Sequence, residues 1–200
     1  MRNTAEMTLE ERITRLEDIE AIRQLQAKYQ RCLDCRDFEG VEDCFTEDVD
    51  AAYDNAHESY KGRDNVMAFL RSVMTTDIPS SHLIHGGEID VLDKENATAK
   101  WYLEDFLLHR KFLAKLHGTA IYDVRYIKQP HQPLVGGDNM AVMQWKICKI
   151  GYTRCYEYFE LRGLVNILTL GKTTFLDLFK KYKGKNDQGG IKAHIRHFTK

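Results

Sequence analysis

The period of the apolar residues changes once along this chain, near Ser81, and that change constrains the fold more than any short motif. Before it the spacing is helical. Ile13, Leu16, Ile19, Ile22, Leu25, Tyr29 and Leu33 recur every three or four residues, which predicts one long helix over 9–36 with a single apolar stripe. Thr8 and Glu11 form a capping box at its start. A short helix over 37–45, strands within 47–60 around a turn at 54–57, and a helix that opens at Gly62 and stops before Pro79 complete this half. Beyond Ser81, residues 81–92, 98–109, 115–128 and 140–159 read as long strands, joined by a polar turn at 93–96 and a Pro/Gly loop over 129–139. Helices first and an antiparallel meander after predict an α+β fold. The helices must cover one face of a curved sheet, leaving a cone with a pocket at its open end.

The 200 residues suit one main domain, taken as 1–160, followed by a C-terminal extension over 161–200. In the extension Leu164, Ile167, Leu168, Phe175, Leu178 and Phe179 are compatible with helix broken near Gly171, and 183–190 reads as flexible. The 29 Lys and Arg against 30 Asp and Glu give no electrostatic case for nucleic acid as a partner. No apolar run approaches the roughly 18 residues of a membrane span, which argues against a membrane partner. The charged N-terminus carries no leader pattern, and the odd count of five cysteines fits a reducing, cytoplasmic compartment.

Two spacings suggest metal and fail on physical grounds. Cys32 and Cys35 lack the second pair that a zinc site needs and sit on a predicted helix. His82 and His85 lie on a predicted strand, where an odd separation sends one side chain inward and the other outward. Counting back from the turn at 93–96 places His85 opposite Glu104, or opposite Asp105 after a one-residue change of register. Asp105 shares a face with Trp101, Leu103 and Leu107, and a carboxylate on such a face needs a partner. His85 is the expected one. Tyr29 and Asp34 lie near the end of the long helix, five residues apart and so on different faces, and Arg154 stands between Tyr152 and Tyr156.

Taken in order, Ala27 to Asp34, Tyr53, His82-Leu83-Ile84-His85, Trp101 to Asp105 and Gly151 to Arg154 resemble the SnoaL-like branch of the nuclear transport factor 2-like superfamily over roughly residues 8–160. Within that branch they are most similar to the bacterial bile acid 7α-dehydratases. The resemblance implies a cystatin-like, cone-shaped barrel of curved antiparallel sheet wrapped over N-terminal helices. By position it implies pocket tyrosines at Tyr29 and Tyr53, a helix aspartate at Asp34, a catalytic histidine at His85, a strand aspartate at Asp105 and a pocket arginine at Arg154. His117 falls where the dehydratases carry an asparagine, which implies a substrate-binding place for it beside Tyr53 and Arg154. The implied reaction is loss of water from a small, hydrophobic polycyclic substrate such as a 3-oxo steroid or bile acid derivative, without metal or other cofactor. His85 would be the base, oriented by Asp34 or Asp105, and Tyr29 and Tyr53 would donate hydrogen bonds. Isomerisation or cyclisation in the same pocket, or a non-catalytic ligand-binding or assembly domain, are the alternatives. Trp101, Tyr102, Phe106, Ile121, Tyr122 and Trp145 supply more aromatic surface than one cup hides, which predicts a homo-oligomer through the outer sheet face; the resemblance favours a trimer.

Overall fold

The structure is a computed structural model that describes residues 7–131, 142–161 and 165–170. Helix α1 spans Leu9–Cys35. The Thr8 hydroxyl accepts from the Glu11 amide at 3.2 Å, and the Glu11 carboxylate accepts from the Thr8 amide at 2.8 Å. Arg36, in the left-handed region at φ 58°, ends the helix. The buried face of α1 starts later than the apolar stripe: Ile13 and Leu16 are 48% and 66% exposed, and burial runs through Asp18, Ile22, Gln26, Tyr29, Gln30 and Leu33. Before Asp18 the Arg15 guanidinium donates to the Val91 carbonyl at 2.8 Å, but no side chain of α1 is buried there, so the stripe alone overstates the contact. Helices α2 (Phe38–Asp43) and α3 (Arg63–Val73) follow, the latter burying Val66, Met67 and Leu70.

The strands are β1 (Phe45–Tyr53), β2 (Glu58–Lys61), β3 (Ser80–Val91), β4 (Asn96–His109), β5 (Ala114–His131), β6 (Val142–Leu161) and β7 (Val165–Leu170). They form one sheet in the order β2-β1-β6-β5-β4-β3, with β7 beside the end of β6. β3 to β6 are the expected antiparallel meander, but β1 joins β6 in parallel, so the sheet is mixed. It curves without closing into a barrel, and β2 and β3 are its two ends. Two boundaries differ from the sequence reading. β5 and β6 stay paired out to His131 and Val142, which shortens the connecting loop; 132–141 lie outside the described residues. Residues 165–170 are a strand paired with Tyr156–Leu161, not helix, because the edge of β6 beyond β1 offers unpaired backbone groups. The flexible stretch expected over 183–190 lies outside the described residues.

The core fills the space between the inner sheet face and the helices. Ile22, Tyr29 and Leu33 of α1 meet Trp101, Leu103, Tyr122, Val124, Tyr126 and Ile150 of the sheet. The aromatics expected outside are divided between the faces: Trp101, Tyr122 and Trp145 are buried, whereas Tyr102 and Phe106 are 57% and 43% exposed. Strict alternation along β4 separates Trp101 from Tyr102 and Phe106.

Candidate active site

The register between β3 and β4 decides which histidine enters the cone. The hairpin pairs Val91 with Ala97, one step from the expected Leu92–Ala97 pairing. A bulge at Gly86, held at φ +34°, then slips the register by another residue, so that His85 faces Tyr102 and His82 faces Asp105. His85 therefore lies on the outer face. Its side chain is 58% exposed and its Nε2 is 3.6 Å from Glu104. His117 also lies outside, 2.9 Å from Glu104 and stacked on Phe106 at 4.0 Å. Neither residue stands in the cone, and the roles expected for them there are withdrawn.

His82 takes the inward place, with its side chain only 9% exposed. Its Nδ1 lies 2.6 Å from Oδ1 of Asp34, and its backbone N–H donates to Oδ2 at 2.7 Å. The Ser80 hydroxyl donates to the same carboxylate at 2.7 Å. Burial pushes the Asp34 carboxyl up, but these hydrogen bonds outweigh it and hold the group below its ordinary value. Asp34 is thus ionised and accepts only, so the imidazole donates from Nδ1, which leaves Nε2 as the acceptor in the neutral ring. The Arg36 guanidinium fixes the corner. It donates to the backbone oxygens of Asp34 and Ile78 and to the Ser80 hydroxyl, tying the end of α1 to the start of β3.

Asp105 belongs to Arg154 instead. Two parallel hydrogen bonds of 2.7 Å join the carboxylate to Nη1 and Nη2, and both side chains are buried. Glu157, also buried, lies 2.9 Å from the Arg154 Nε. Gly118, opposite Asp105 and Glu157 on β5, makes the room: a Cβ there would stand 2.9 Å from Nη1 and 3.1 Å from the Asp105 Oδ1. Burial works against the guanidinium charge, yet Tyr152, Asp105 and Glu157 around it hold its proton more tightly than usual. The Arg154 head sits 4.8 Å from the centre of the Tyr152 ring.

Tyrosines line the space between these groups. The Tyr29 and Tyr53 hydroxyls are 3.4 Å apart, and burial raises both phenols above their ordinary value, so each remains a protonated donor. Tyr152 packs against both Tyr53 and Tyr122. Two clefts open on the described surface, of about 410 Å³ between α1 and β6 and about 280 Å³ beside β1 and β6. Neither is lined by Tyr29 or His82.

The sequence reading thus brought Tyr29, Asp34, Tyr53, Asp105 and Arg154 to the inner side and missed His82. The strand parity of His82 and His85 was the available signal, but it could not say which of the two turned in. Cys32 is buried and Cys35 exposed at the end of α1, as ordinary helix residues are. Among the described residues no cluster of three or more His, Cys, Asp or Glu side chains is arranged to hold a metal ion.

A curved sheet folded over a long helix is the architecture of the cystatin-like, nuclear transport factor 2-like proteins. The chain belongs to the SnoaL-like domain family, whose model matches residues 14–150. It is similar in structure to a putative scytalone dehydratase from Novosphingobium aromaticivorans (TM-score 0.60, 19% identity, covering 72% of this chain and 88% of the other). An NTF2-like protein with a cystatin-like fold from the same organism matches at TM-score 0.56 and 22% identity, over 76% and 90% of the two chains. A hexachlorocyclohexane dehydrochlorinase from Novosphingobium barchaimii matches at TM-score 0.60 and 15% identity, over 74% and 92%. At these identities the likeness establishes the fold. No helix among the described residues is long and apolar enough to cross a membrane.

Proposed function

We propose that this protein is a carbon–oxygen lyase that removes water from a hydroxylated polycyclic substrate, such as a 3-oxo steroid or bile acid derivative, with His82 as the base. The observation that carries this reading is the 2.6 Å contact between His82 and Asp34 in a mostly buried corner. A carboxylate on Nδ1 fixes the ring and its tautomer and stabilises the imidazolium that forms when Nε2 takes a proton, as the aspartate of a catalytic triad does. Elimination beside a carbonyl needs a base for the acidified C–H, a donor for the enolate oxygen and a proton for the departing hydroxyl. It involves no net redox change. Tyr29 and Tyr53 are the donors, supplying two adjacent phenols without permanent charge. Arg154, neutralised by Asp105, stiffens the opposite wall and holds Tyr152 in place. That two structural relatives are named as a dehydratase and a dehydrochlorinase supports an elimination on this scaffold.

Incubation with a panel of hydroxylated 3-oxo-Δ4 steroids, followed by mass spectrometry for loss of water, tests the reading. Turnover by the wild type and its loss in His82→Ala is the expected result. A second reading, a non-catalytic ligand-binding or assembly domain of the same fold, draws on the two surface clefts, both of which avoid Tyr29 and His82. Absence of turnover across the panel would favour it, whereas turnover unaffected by His82→Ala would remove His82 as the base. We further propose self-association, with a trimer favoured, through the outer sheet face around Leu83, Tyr102 and Phe106, which are 45%, 57% and 43% exposed.

A further inference from the structure

Ser80 and His82 stand two residues apart at the start of β3, and Asp34 and Arg36 two residues apart at the end of α1. On a strand that separation puts both side chains on one face. Ser80 and His82 therefore approach the same carboxylate from the same side. Both donate to one of its oxygens, Oδ1 of Asp34: the hydroxyl at 2.7 Å and Nδ1 at 2.6 Å. The reading of His82 as a base uses the second contact and leaves the first without a role.

The Ser80 hydroxyl has a fixed direction. Nη1 of Arg36 lies 3.2 Å from its oxygen, and a guanidinium donates without accepting. The oxygen therefore accepts from Arg36, and its single hydrogen is left for Asp34. The result is a one-way chain of donors from Arg36 to Ser80 to Asp34, where His82 meets it. Arg36 also donates to the backbone oxygens of Asp34, Thr75 and Ile78, so its own place does not depend on the hydroxyl. Ser80 is in turn one of the groups that hold the Asp34 carboxyl below its ordinary value.

The carboxylate needs such an anchor. The Asp34 side chain is 22% exposed, so water competes for its oxygens. Its two contacts with His82, the backbone N–H on Oδ2 and Nδ1 on Oδ1, come from one residue whose ring turns about its side-chain bonds. A donor from outside the histidine pins Oδ1 and gives the ring one place to dock. We infer that Ser80, directed by Arg36, is a positioning residue for His82: it fixes the Asp34 oxygen that keeps the imidazole proton on Nδ1, and so keeps Nε2 free to act as the base. This deepens, and rests on, the reading of His82 as the base of a lyase. The alternative is a purely structural clamp, which Arg36 supplies by itself through its backbone contacts.

Ser80→Ala and Ser80→Thr separate the two. The tautomer of His82 is read by nitrogen NMR of histidine-labelled protein at a pH where the ring is neutral, its signals assigned by their loss in His82→Ala. No substrate is needed. The wild type shows the Nδ1–H form in ~10-fold or greater excess over Nε2–H, since one hydrogen bond to a charged group is worth about that factor. In Ser80→Ala the excess falls to about 3-fold or less, and in Ser80→Thr, which keeps the hydroxyl, it stays within about 2-fold of the wild type. On whichever panel steroid loses water, Ser80→Ala lowers kcat ~10-fold with KM within about 2-fold, and Ser80→Thr recovers most of the loss. A wild-type tautomer ratio in Ser80→Ala overturns the inference, including one accompanied by a lower unfolding temperature, the mark of a structural clamp. So does an equal fall in Ser80→Thr, which would make the role one of packing. If no panel steroid is turned over, the lyase reading fails, while the tautomer ratio still decides the role of Ser80.

Discussion

His82 and Asp105 face each other directly across β3 and β4, yet the imidazole is held by Asp34 and the Asp105 carboxylate by Arg154. Cross-strand neighbours share a face and lie about 5 Å apart, which makes them natural partners. Here each is claimed by a residue from another element, α1 for the histidine and β6 for the aspartate. The inner face therefore carries two separate pairs, a histidine with its carboxylate and a permanent cation with its own.

For turnover, the separation predicts unequal effects. His82→Ala should lower kcat by at least ~10²-fold, the usual scale for a positioned acid–base group, while His85→Ala should stay within about 2-fold. Asp34→Asn should cost more than Asp105→Asn, because only Asp34 sets the imidazole tautomer. Steady-state kinetics on whichever panel steroid loses water gives the comparison. A large loss in His85→Ala with none in His82→Ala would reverse the assignment of the two histidines.

The buried Arg154 network makes a stability prediction. Arg154→Met leaves Asp105 and Glu157 buried without their shared cation and should cost about 3–5 kcal/mol in urea unfolding. Asp105→Asn should cost less, since Glu157 still lies against the guanidinium. Equal losses would mean that Glu157 contributes nothing to the cation.

Acid titration should reveal Asp43. Burial pushes this carboxyl up, but Lys146 and Lys28 overcome it and bring it down to about 2. A depressed carboxyl stabilises the fold above its unfolded value of about 3.9, and that stability is lost as the pH falls towards about 2. Because the side chain is 39% exposed, solvent screening reduces the contribution to about 1 kcal/mol. Asp43→Asn should therefore be less stable than the wild type at pH 7 and nearly equal to it at pH 2. A gap that widens on acidification would contradict the sign.

Sedimentation velocity at micromolar concentration should show a species several times the 23.3 kDa chain mass, at three chains if the trimer is right. Replacing Tyr102 and Phe106 together by lysine should shift the protein towards one chain, since both project from the outer face. A wild type that sediments as a single chain would end the proposal.

The sequence by itself determined the elements and the kinds of residue available for chemistry. The change of period near Ser81 is a local property, and the capping box, the helices and the four long strands followed from it because each depends on neighbours within a few residues. Which face of β4 goes inward was legible too, since Trp101, Leu103 and Asp105 alternate with Tyr102 and Glu104. Three things were settled only by tertiary structure. The parallel seat of β1 beside β6 and the addition of β7 depend on which sheet edges remain unpaired. The choice of His82 over His85 depended on the hairpin loop and the bulge at Gly86, each of which slips the register by one residue. Parity fixes that the two histidines point opposite ways, but only the accumulated register and the meeting of β3 with the end of α1 decide which one reaches Asp34.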